Sequence, residues 1–257
     1  MNVLLIDVGN TNIKIGIASE DKLLSTFTIP TEHKITADSF GIQVYELCKY
    51  AGFNPKDFSF WLVSSVVPPL DPIIKEASLK FFGCKSIFVP QELSLDIENR
   101  YANPQEVGAD RLVTAYGARK LLPFSSIIII DFGTATTLDC VQGNSYLGGL
   151  ICPGIGTSLK GLSLYTAKLP QISLEVDSLE IKIGDTTVNS MKYGFLFGFA
   201  AMIDGLCNNL AKILNDEVYV IATGGFASKI SCICNRINEV KEDLLMQGLL
   251  FASKLLK

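Results

Sequence analysis

Residues 125–137 read SSIIIIDFGTATT. The four isoleucines at 127–130 are typical of a strand that is buried on both faces, because branched side chains pack well on a pleated surface and leave no polar face for water. Asp131 and Gly133 end the strand, and small polar residues follow them. The stretch therefore predicts a buried strand that opens into a functional turn.

The same pattern occurs once before, near the start of the chain. Residues 3–12 read VLLIDVGNTN, an apolar strand followed by Asp-x-Gly and then by small hydroxyl or amide residues. Asp7 and Asp131 are 124 positions apart (131 − 7), which is close to half of the 257 residues. We interpret the two copies as an internal repeat on the scale of a domain.

An Asp-x-Gly turn at the end of a strand has the groups that bind phosphate. Glycine lets the backbone approach a ligand closely, while hydroxyl, amide and backbone N–H groups donate to phosphate oxygens. The aspartate supplies a carboxylate for a hydrated Mg2+ or for a monovalent cation. When such a turn occurs once, the more common explanation is that it simply ends a strand. The repeat favours phosphate binding instead, by two turns that face each other across a nucleotide.

Composition and charge exclude several classes of protein. The net charge is −4, the mean hydropathy is +0.34 and no basic stripe occurs, so nucleic acid is not the expected ligand. The longest apolar segment, at 193–203, is shorter than the ~20 residues that span a bilayer, so we expect no membrane span. The seven cysteines lack the spacing of a disulfide framework or of a zinc site, which predicts reduced thiols and a cytoplasmic protein.

The first half of the chain has the element order of a ribonuclease-H-like lobe, β-β-β-α-β-α-β. After three strands, the pattern predicts a helix at 36–51, a strand at 58–67, a helix at 71–82 and a strand at 86–89. Trp61 lies within the strand at 58–67, and we expect its side chain in the core.

The second half begins in the same way, with a hairpin at 136–152 after the central strand. A long helix at 188–214 is apolar on nearly all sides, which favours a partner subunit as its cover. A strand at 217–222 is followed by Thr-Gly-Gly at 223–225. The two glycines have no side chain, so the backbone there can lie flat against adenine or ribose. An amphipathic helix at 239–255 is predicted to close the chain.

Three charged residues allow either a structural or a functional role. Lys14 follows the first turn and is either a surface lysine or one that reaches the phosphates. Asp110 and Arg111 fall at the start of a helix at 112–122, where free N–H groups favour an anion. Judged by position alone, Asp110 caps the helix and Arg111 pairs with a surface acid.

Two strand-Asp-x-Gly turns and a late Thr-Gly-Gly resemble the phosphate and adenosine motifs of the acetate kinase/hexokinase/Hsp70/actin superfamily. Within it, five segments together resemble the type III pantothenate kinases: DVGNT at 7–11, GADR at 108–111, DFGTATT at 131–137, GGLICPG at 148–154 and TAKLP at 166–170. The resemblance covers the whole chain and implies an α/β fold. It implies two ribonuclease-H-like (actin-like ATPase) lobes, each a mixed sheet with flanking helices, with a nucleotide cleft between them. We predict the lobes at residues 1–117 and 118–257.

The resemblance also implies an activity, the transfer of the γ-phosphoryl group of ATP to pantothenate in the first step of coenzyme A biosynthesis. It implies Mg2+ with ATP, a monovalent cation (K+ or NH4+) and a cytoplasmic homodimer, and we expect no nucleic acid or membrane partner. The alternatives are a non-catalytic regulator that binds nucleotide or pantothenate, a small-molecule kinase of another substrate, and an actin- or Hsp70-like ATPase.

The matching motifs imply a role for each site residue. Asp110 matches the family's catalytic acid, and this role replaces the capping interpretation. Asp131 matches the monovalent-cation ligand. Asp7 is expected to hold Mg2+ through water. The residues implied to bind ATP are Asp7, Val8, Gly9, Asn10, Thr11, Asn12, Ile13, Lys14 and Thr134. The residues implied to bind pantothenate are Tyr101, Gly108, Ala109, Asp110, Arg111 and Thr187. Thr186 stands where the family has asparagine, which leaves open whether Thr186 or Thr187 contacts the substrate.

Overall fold

The computed structural model describes residues 1–19, 22–176 and 178–256. Within these ranges the chain is an α/β protein in which helices flank two mixed sheets, so the predicted fold class is confirmed. The chain forms two compact units, Met1–Leu121 with Asp243–Lys257, and Leu122–Glu242.

Five strands form the sheet of the first unit: β1 (Asn2–Val8), β2 (Asn12–Ser19), β3 (Lys22–Pro30), β4 (Phe58–Ser65) and β5 (Lys85–Val89). They lie in the order β3-β2-β1-β4-β5, and β1 pairs antiparallel with β2 and parallel with β4. A short strand, β6 (Glu98–Asn99), follows them in the chain. Trp61 of β4 is fully buried, as predicted, and its ring packs edge-on against Phe82.

Helices α1 (Ala37–Tyr50), α2 (Asp71–Ala77) and α3 (Ala109–Leu121) belong to the first unit. The hydroxyl oxygen of Thr36 accepts the N–H of Ser39 and caps the start of α1. After the other end of the helix, Gly52 adopts a positive φ of 85°. A single π-helical turn, Ser78–Phe82, continues α2. Helices α1 and α2 agree with the sequence prediction because their caps and apolar faces are local features. Helix α3 begins at Ala109, before the predicted start at 112, so it includes Asp110 and Arg111.

The sheet of the second unit repeats the arrangement of the first. Its strands are β7 (Ser126–Phe132), β8 (Ala135–Gln142), β9 (Ser145–Pro153), β10 (Val218–Gly224) and β11 (Glu239–Val240). They lie in the order β9-β8-β7-β10-β11, and β7 pairs antiparallel with β8 and parallel with β10. The strand β7 therefore stands in its sheet where β1 stands in the first, which confirms the internal repeat.

Helices α4 (Ile155–Tyr165), α5 (Thr187–Leu214) and α6 (Ala227–Ser231) belong to the second unit. In the described part of the chain, α5 is the one helix that is long and apolar enough to cross a membrane, judged by length and composition alone. The core of the unit buries Leu196, Ala200, Ile203 and Cys207, which recur at helical spacing along one face of α5. Of the most apolar window of α5, 22% is buried, and the phenylalanines at 195, 197 and 199 are partly buried against the same core.

The C-terminal segment differs from the prediction. The amphipathic helix predicted at 239–255 is wrong, because Glu239 and Val240 pair with β10 as strand β11 and the final helix, α7, spans only Leu244–Ser253. Helix α7 is buried on nearly all sides, since it packs against α3 and β1 of the first unit. The lobe boundaries 1–117 and 118–257 stay a prediction, and the compact units differ from them by placing 243–257 with the first unit.

Candidate active site

The first Asp-x-Gly turn joins β1 to β2. Asp7 is half-buried at the end of β1, where it lies opposite Lys14 on β2 and opposite Ser64 on β4. The hydroxyl of Ser64, which is fully buried, donates to Oδ1 of Asp7 over 3.3 Å. The carboxylate of Asp7 is therefore held from the neighbouring parallel strand.

The backbone of this turn is held at three points. The N–H of Gly9 donates to the carbonyl oxygen of Asn12 over 3.0 Å. Thr31, just after β3, donates its hydroxyl to the Gly9 carbonyl over 2.6 Å and its N–H to the Thr11 carbonyl over 3.0 Å. The segment 10–12 between these points is exposed.

Two residues predicted to bind ATP point into the core. The side chains of Val8 and Ile13 are 0% and 1% exposed. Both residues pack in the core of the first unit and pair with each other across β1 and β2, so neither presents a side chain to a ligand. Between them, Asn10, Thr11 and Asn12 are exposed, and their polar side chains are accessible to a ligand.

The second Asp-x-Gly turn joins β7 to β8. Asp131 lies opposite Thr137 on β8 and Thr223 on β10, which is the position that Asp7 has in the first sheet. Gly224 has a φ of 91°, and a Cβ there would overlap Oδ1 of Asp131. Glycine at 224 therefore leaves the space that the carboxylate of Asp131 occupies.

Thr134, at the tip of the second turn, is exposed, and its carbonyl oxygen accepts the hydroxyl of Thr157 over 2.7 Å. Gly154 precedes α4, and a Cβ on it would overlap the same carbonyl oxygen. The start of α4 thus approaches the backbone of the turn directly.

The Gly-Ala-Asp-Arg segment forms the start of α3. Asp110 and Arg111 lie in the first turn of the helix and are half-buried. The carboxylate oxygen Oδ1 of Asp110 accepts the N–H of Arg111 over 2.7 Å. A Cβ on Gly108 would be 2.5 Å from this oxygen, so glycine at 108 leaves room for the carboxylate. Asp110 is therefore a residue of the first helical turn and does not precede the helix as a cap.

The structure distinguishes the two threonines before α5. Thr186 is the N-cap, and its hydroxyl oxygen accepts the N–H of Asn189 over 3.1 Å. Thr187 is the first residue of the helix and is exposed. Tyr101, another residue implied to bind pantothenate, is half-buried and its N–H donates to the side chain of Asn99 over 3.0 Å.

Metal binding at these turns would rest on single carboxylates. Throughout residues 1–19, 22–176 and 178–256, no group of three or more His, Cys, Asp or Glu side chains lies close enough to hold a metal ion. Asp7 has the hydroxyl of Ser64 beside it, and Asp131 lies opposite Thr137 and Thr223. Oxygen donors of this kind fit a Mg2+ that keeps waters and phosphate oxygens as its other ligands, and they fit a monovalent cation.

A cavity of about 480 Å3 lies elsewhere in the second unit. Leu159, Phe226, Lys229 and the segment 171–174 line it. The Lys229 ammonium donates to the carbonyl oxygen of Leu174 over 2.7 Å and to Glu175 over 2.8 Å, so its charge is already compensated. This cavity includes none of the residues that the motifs place in the site.

Three contacts at the turns were missed by sequence reasoning. They involve Ser64, Thr31 and Thr157, which reach Asp7, Gly9 and Thr134 from separate elements. Only Ser64 had a signal in the sequence, because it ends a predicted strand that a ribonuclease-H-like order places beside β1.

Solved structures share this fold at low sequence identity. A putative Baf family transcriptional activator from Campylobacter jejuni has a TM-score of 0.62 and 18% identity over 98% of both chains. A ROK hexokinase from Thermus thermophilus has a TM-score of 0.55 and 14% identity over 100% of both chains. These likenesses support the predicted fold class.

Sequence relatives are much closer. The chain is 46% identical over 247 residues to a type III pantothenate kinase of Oleidesulfovibrio alaskensis. The alignment covers 96% of this chain and 94% of the relative. It is 48% identical, with the same coverage, to a type III pantothenate kinase of Nitratidesulfovibrio vulgaris. The family model for type III pantothenate kinase matches residues 3–209. The chain therefore belongs to the type III pantothenate kinase family, and its activity is the ATP-dependent phosphorylation of pantothenate.

Proposed function

We propose that this chain transfers the γ-phosphoryl group of ATP to the primary hydroxyl of pantothenate by means of its two Asp-x-Gly turns and its Gly-Ala-Asp-Arg segment. The product is 4'-phosphopantothenate, formed in the first step of coenzyme A biosynthesis. One observation carries the assignment of the turns: Asp7 and Asp131 occupy equivalent strand ends in two sheets of the same order.

The segment 7–14 binds the phosphates of ATP. The exposed polar side chains at 10–12 and the N–H of Asn10 donate to phosphate oxygens, and Gly9 lets the turn approach them closely. Lys14 adds a positive charge opposite Asp7. Thr134, exposed in the second turn, makes a further contact with ATP. Val8 and Ile13 hold the two ends of this turn in the core, because both residues are buried.

Two cations accompany ATP. Asp7 binds Mg2+ through water, and Asp131 is a ligand of K+ or NH4+; the oxygen donors around both carboxylates support these assignments. The cations neutralise the charge that develops on the transferring phosphoryl group.

Asp110 orients the hydroxyl of pantothenate in line with the γ-phosphorus and accepts its proton late. Phosphoryl transfer has a loose transition state, so positioning and charge compensation outweigh strong base catalysis. The location of Asp110 in the first turn of α3 supports this role, since the N–H of Arg111 and the helix dipole favour a carboxylate there.

Pantothenate is held by residues on both sides of Asp110 in the sequence. Arg111 binds its carboxylate or amide oxygens, because a guanidinium makes paired hydrogen bonds with such groups. Tyr101 and Gly108, which are half-buried, line the same substrate, and Ala109, which is 3% exposed, holds the segment in the core. We assign the remaining contact to Thr187 and not to Thr186, because the oxygen of Thr186 caps α5.

The enzyme acts as a cytoplasmic homodimer that binds neither nucleic acid nor a membrane. The net charge of −4 supports the absence of a nucleic-acid ligand. A line of small residues on α5 supports a second copy as its cover: Gly194, Gly198 and Gly205 are exposed, and a Cβ on any of them would meet open space. Small residues on a helix allow another helix to approach closely.

A regulator that binds nucleotide or pantothenate without turnover is the second candidate. Such a protein has no chemical need for a reacting carboxylate, whereas Asp7, Asp110 and Asp131 are all present. A kinase of another small molecule would share the turns but has no reason to carry Gly-Ala-Asp-Arg.

A coupled ADP-release assay with purified protein, MgATP and pantothenate tests the proposal. Parallel reactions in K+ and in Na+ buffer are expected to show ADP release that depends on pantothenate and is faster in K+. Reactions without pantothenate serve as the control for ATP hydrolysis. Folded protein that releases no pantothenate-dependent ADP in either buffer would contradict the kinase assignment and favour the regulator.

A further inference from the structure

We propose that Thr31 and Thr157 are positioning residues that fix the backbone of the two phosphate-binding turns. The inference rests on the proposed function, because it takes the turns at Asp7 and Asp131 as binding sites for the phosphates of ATP. Neither threonine belongs to a motif that suggested the function.

The two contacts are alike in geometry. Thr31 donates its hydroxyl to the carbonyl oxygen of Gly9 over 2.6 Å, across 22 residues of sequence. Thr157 donates its hydroxyl to the carbonyl oxygen of Thr134 over 2.7 Å, across 23 residues. In each case a threonine beyond the third strand of its sheet, β3 or β9, binds a carbonyl at or next to the glycine of an Asp-x-Gly turn.

These contacts decide which way the peptide groups of the turns face. A trans peptide is planar, so its N–H points away from its C=O. Because the Gly9 carbonyl points to Thr31, the N–H of Asn10 points away from Thr31. The N–H of Ala135 likewise points away from Thr157. A phosphate needs donors on its side of the turn, and a carbonyl turned towards it would repel it.

Other contacts restrict the same backbone. The N–H of Thr31 donates to Thr11, so Thr31 holds the first turn at two carbonyls. In the second turn, Gly154 lies so close to the Thr134 carbonyl that a Cβ would overlap it, which brings α4 and Thr157 within reach. The hydroxyls therefore act on turns whose remaining freedom is small.

The test uses the isosteric variants Thr31→Val and Thr157→Val in the full chain. Each variant removes a hydroxyl and keeps the branched shape, so the carbonyl of the turn loses one hydrogen bond with little change in packing. We expect the KM for MgATP to rise about fivefold in each, as for the loss of one neutral hydrogen bond, while the KM for pantothenate changes less than twofold. Thr31→Ser and Thr157→Ser keep the hydroxyl and are expected to restore the parental KM for MgATP.

The matched control is Thr26→Val, at an exposed position on β3 that pairs with Gly16 away from the turn. A purely structural role would lower the unfolding midpoint of Thr31→Val and leave the KM for MgATP unchanged. If Thr31→Val does not fold, Thr157→Val at an exposed position gives an independent answer.

Failure of the inference differs from failure of the proposed function. Parent enzyme that turns over pantothenate, together with folded valine variants whose KM for MgATP equals that of the parent, overturns the positioning roles alone. Parent enzyme with no pantothenate-dependent turnover overturns the proposed function. In that case, equilibrium binding of a non-hydrolysable MgATP analogue still decides the inference: unchanged affinity in the valine variants contradicts it, and about fivefold weaker affinity supports it.

Discussion

Ser64 donates its hydroxyl to Oδ1 of Asp7 over 3.3 Å, from the strand that runs parallel to the one carrying Asp7. The serine is fully buried, so water has no access to its hydroxyl, and the carboxylate of Asp7 is its hydrogen-bond acceptor. One oxygen of Asp7 is thereby oriented by the fold. The orientation is set by register, because Ser64 and Asp7 are directly opposite each other.

Replacing Ser64 by alanine is expected to raise the KM for MgATP about fivefold, since the loss of one hydrogen bond costs about 1 kcal/mol. Steady-state kinetics at varied MgATP measure this change, and the KM for pantothenate should stay within twofold of the parent. Ser86→Ala is the matched control, because the hydroxyl of Ser86 is buried without a hydrogen-bond partner. Equal effects of the two variants would contradict a specific role for Ser64.

Asp110→Asn is expected to lower kcat by about 10²- to 10⁴-fold, the range for loss of a group that takes a proton in the transition state. Binding of ATP and pantothenate should be largely retained, because asparagine keeps the shape of the side chain. Single-turnover kinetics and equilibrium binding separate the two effects. Asp57→Asn, at an exposed site outside the motifs, serves as control. An active Asp110→Asn variant would remove Asp110 from the chemistry.

Gly154→Ala is expected to destabilise the protein by about 2 kcal/mol or more, because the new Cβ overlaps a backbone carbonyl that cannot rotate away as a side chain can. Urea unfolding measures the change in free energy. Gly161→Ala within α4 is the control, since a Cβ there meets open space. Alanine favours a helix by up to about 1 kcal/mol relative to glycine, so this variant should be as stable as the parent or more stable.

The stability of the second unit is expected to depend on the ionisation of Asp204. Burial raises the pKa of Asp204, but hydrogen bonds from the thiol of Cys234 and from the N–H groups of Asn235 and Arg236 outweigh it and hold the pKa below its usual value. A lowered pKa in the folded state stabilises the protein above the unfolded pKa of about 4, and this contribution is lost as the pH falls through the folded pKa.

Asp204→Asn tests this dependence. The parent should be more stable than the variant at neutral pH, and the difference in unfolding free energy should shrink as the pH falls from about 5 to about 3. Denaturant unfolding at several pH values measures it. A difference in unfolding free energy that stays constant over this pH range would show that the charge of Asp204 does not stabilise the segment 234–236.

Thiol labelling should be confined to one of the seven cysteines. Cys232 is exposed, whereas Cys152 is half-buried and burial raises its pKa. Burial raises the pKa of Cys48 and of Cys207 to about 12 and keeps these thiols protonated. Iodoacetamide at mildly alkaline pH should add one fast label to the native protein, found by mass spectrometry at Cys232. Cys232→Ser should abolish it, and unfolded protein should take up seven. Fast labelling of Cys207 in native protein would contradict the burial.

Much of the fold was predictable because its signals are local. The isoleucine run and the Asp-x-Gly turns define β1 and β7 within a few residues of sequence, and Thr36 with Gly52 marks both ends of α1. The repeat at a spacing of 124 predicted two similar sheets, which the strand orders confirm. The roles of Asp7, Asp110 and Asp131 remain predictions that the variants above test.

The end of the chain was predicted wrongly because its structure is decided by distant partners. Glu239 and Val240 become a strand by pairing with Ile221 and Ala222 of β10. The apolar residues of 244–253 fit a one-sided helix in sequence, but contacts with α3 and β1 bury them on nearly all sides. Long-range pairing and packing override local periodicity in both cases.

The sequence by itself determined the element types up to β10, the internal repeat and the positions of the two polar turns, since propensity and turn chemistry act between near neighbours. Only the tertiary structure decided which side chains hold those turns. Ser64, Thr31 and Thr157 reach them across 57, 22 and 23 residues of chain, through strand register and the close approach of a helix start. Such contacts leave no periodic trace in a sequence, because they depend on where separate elements meet.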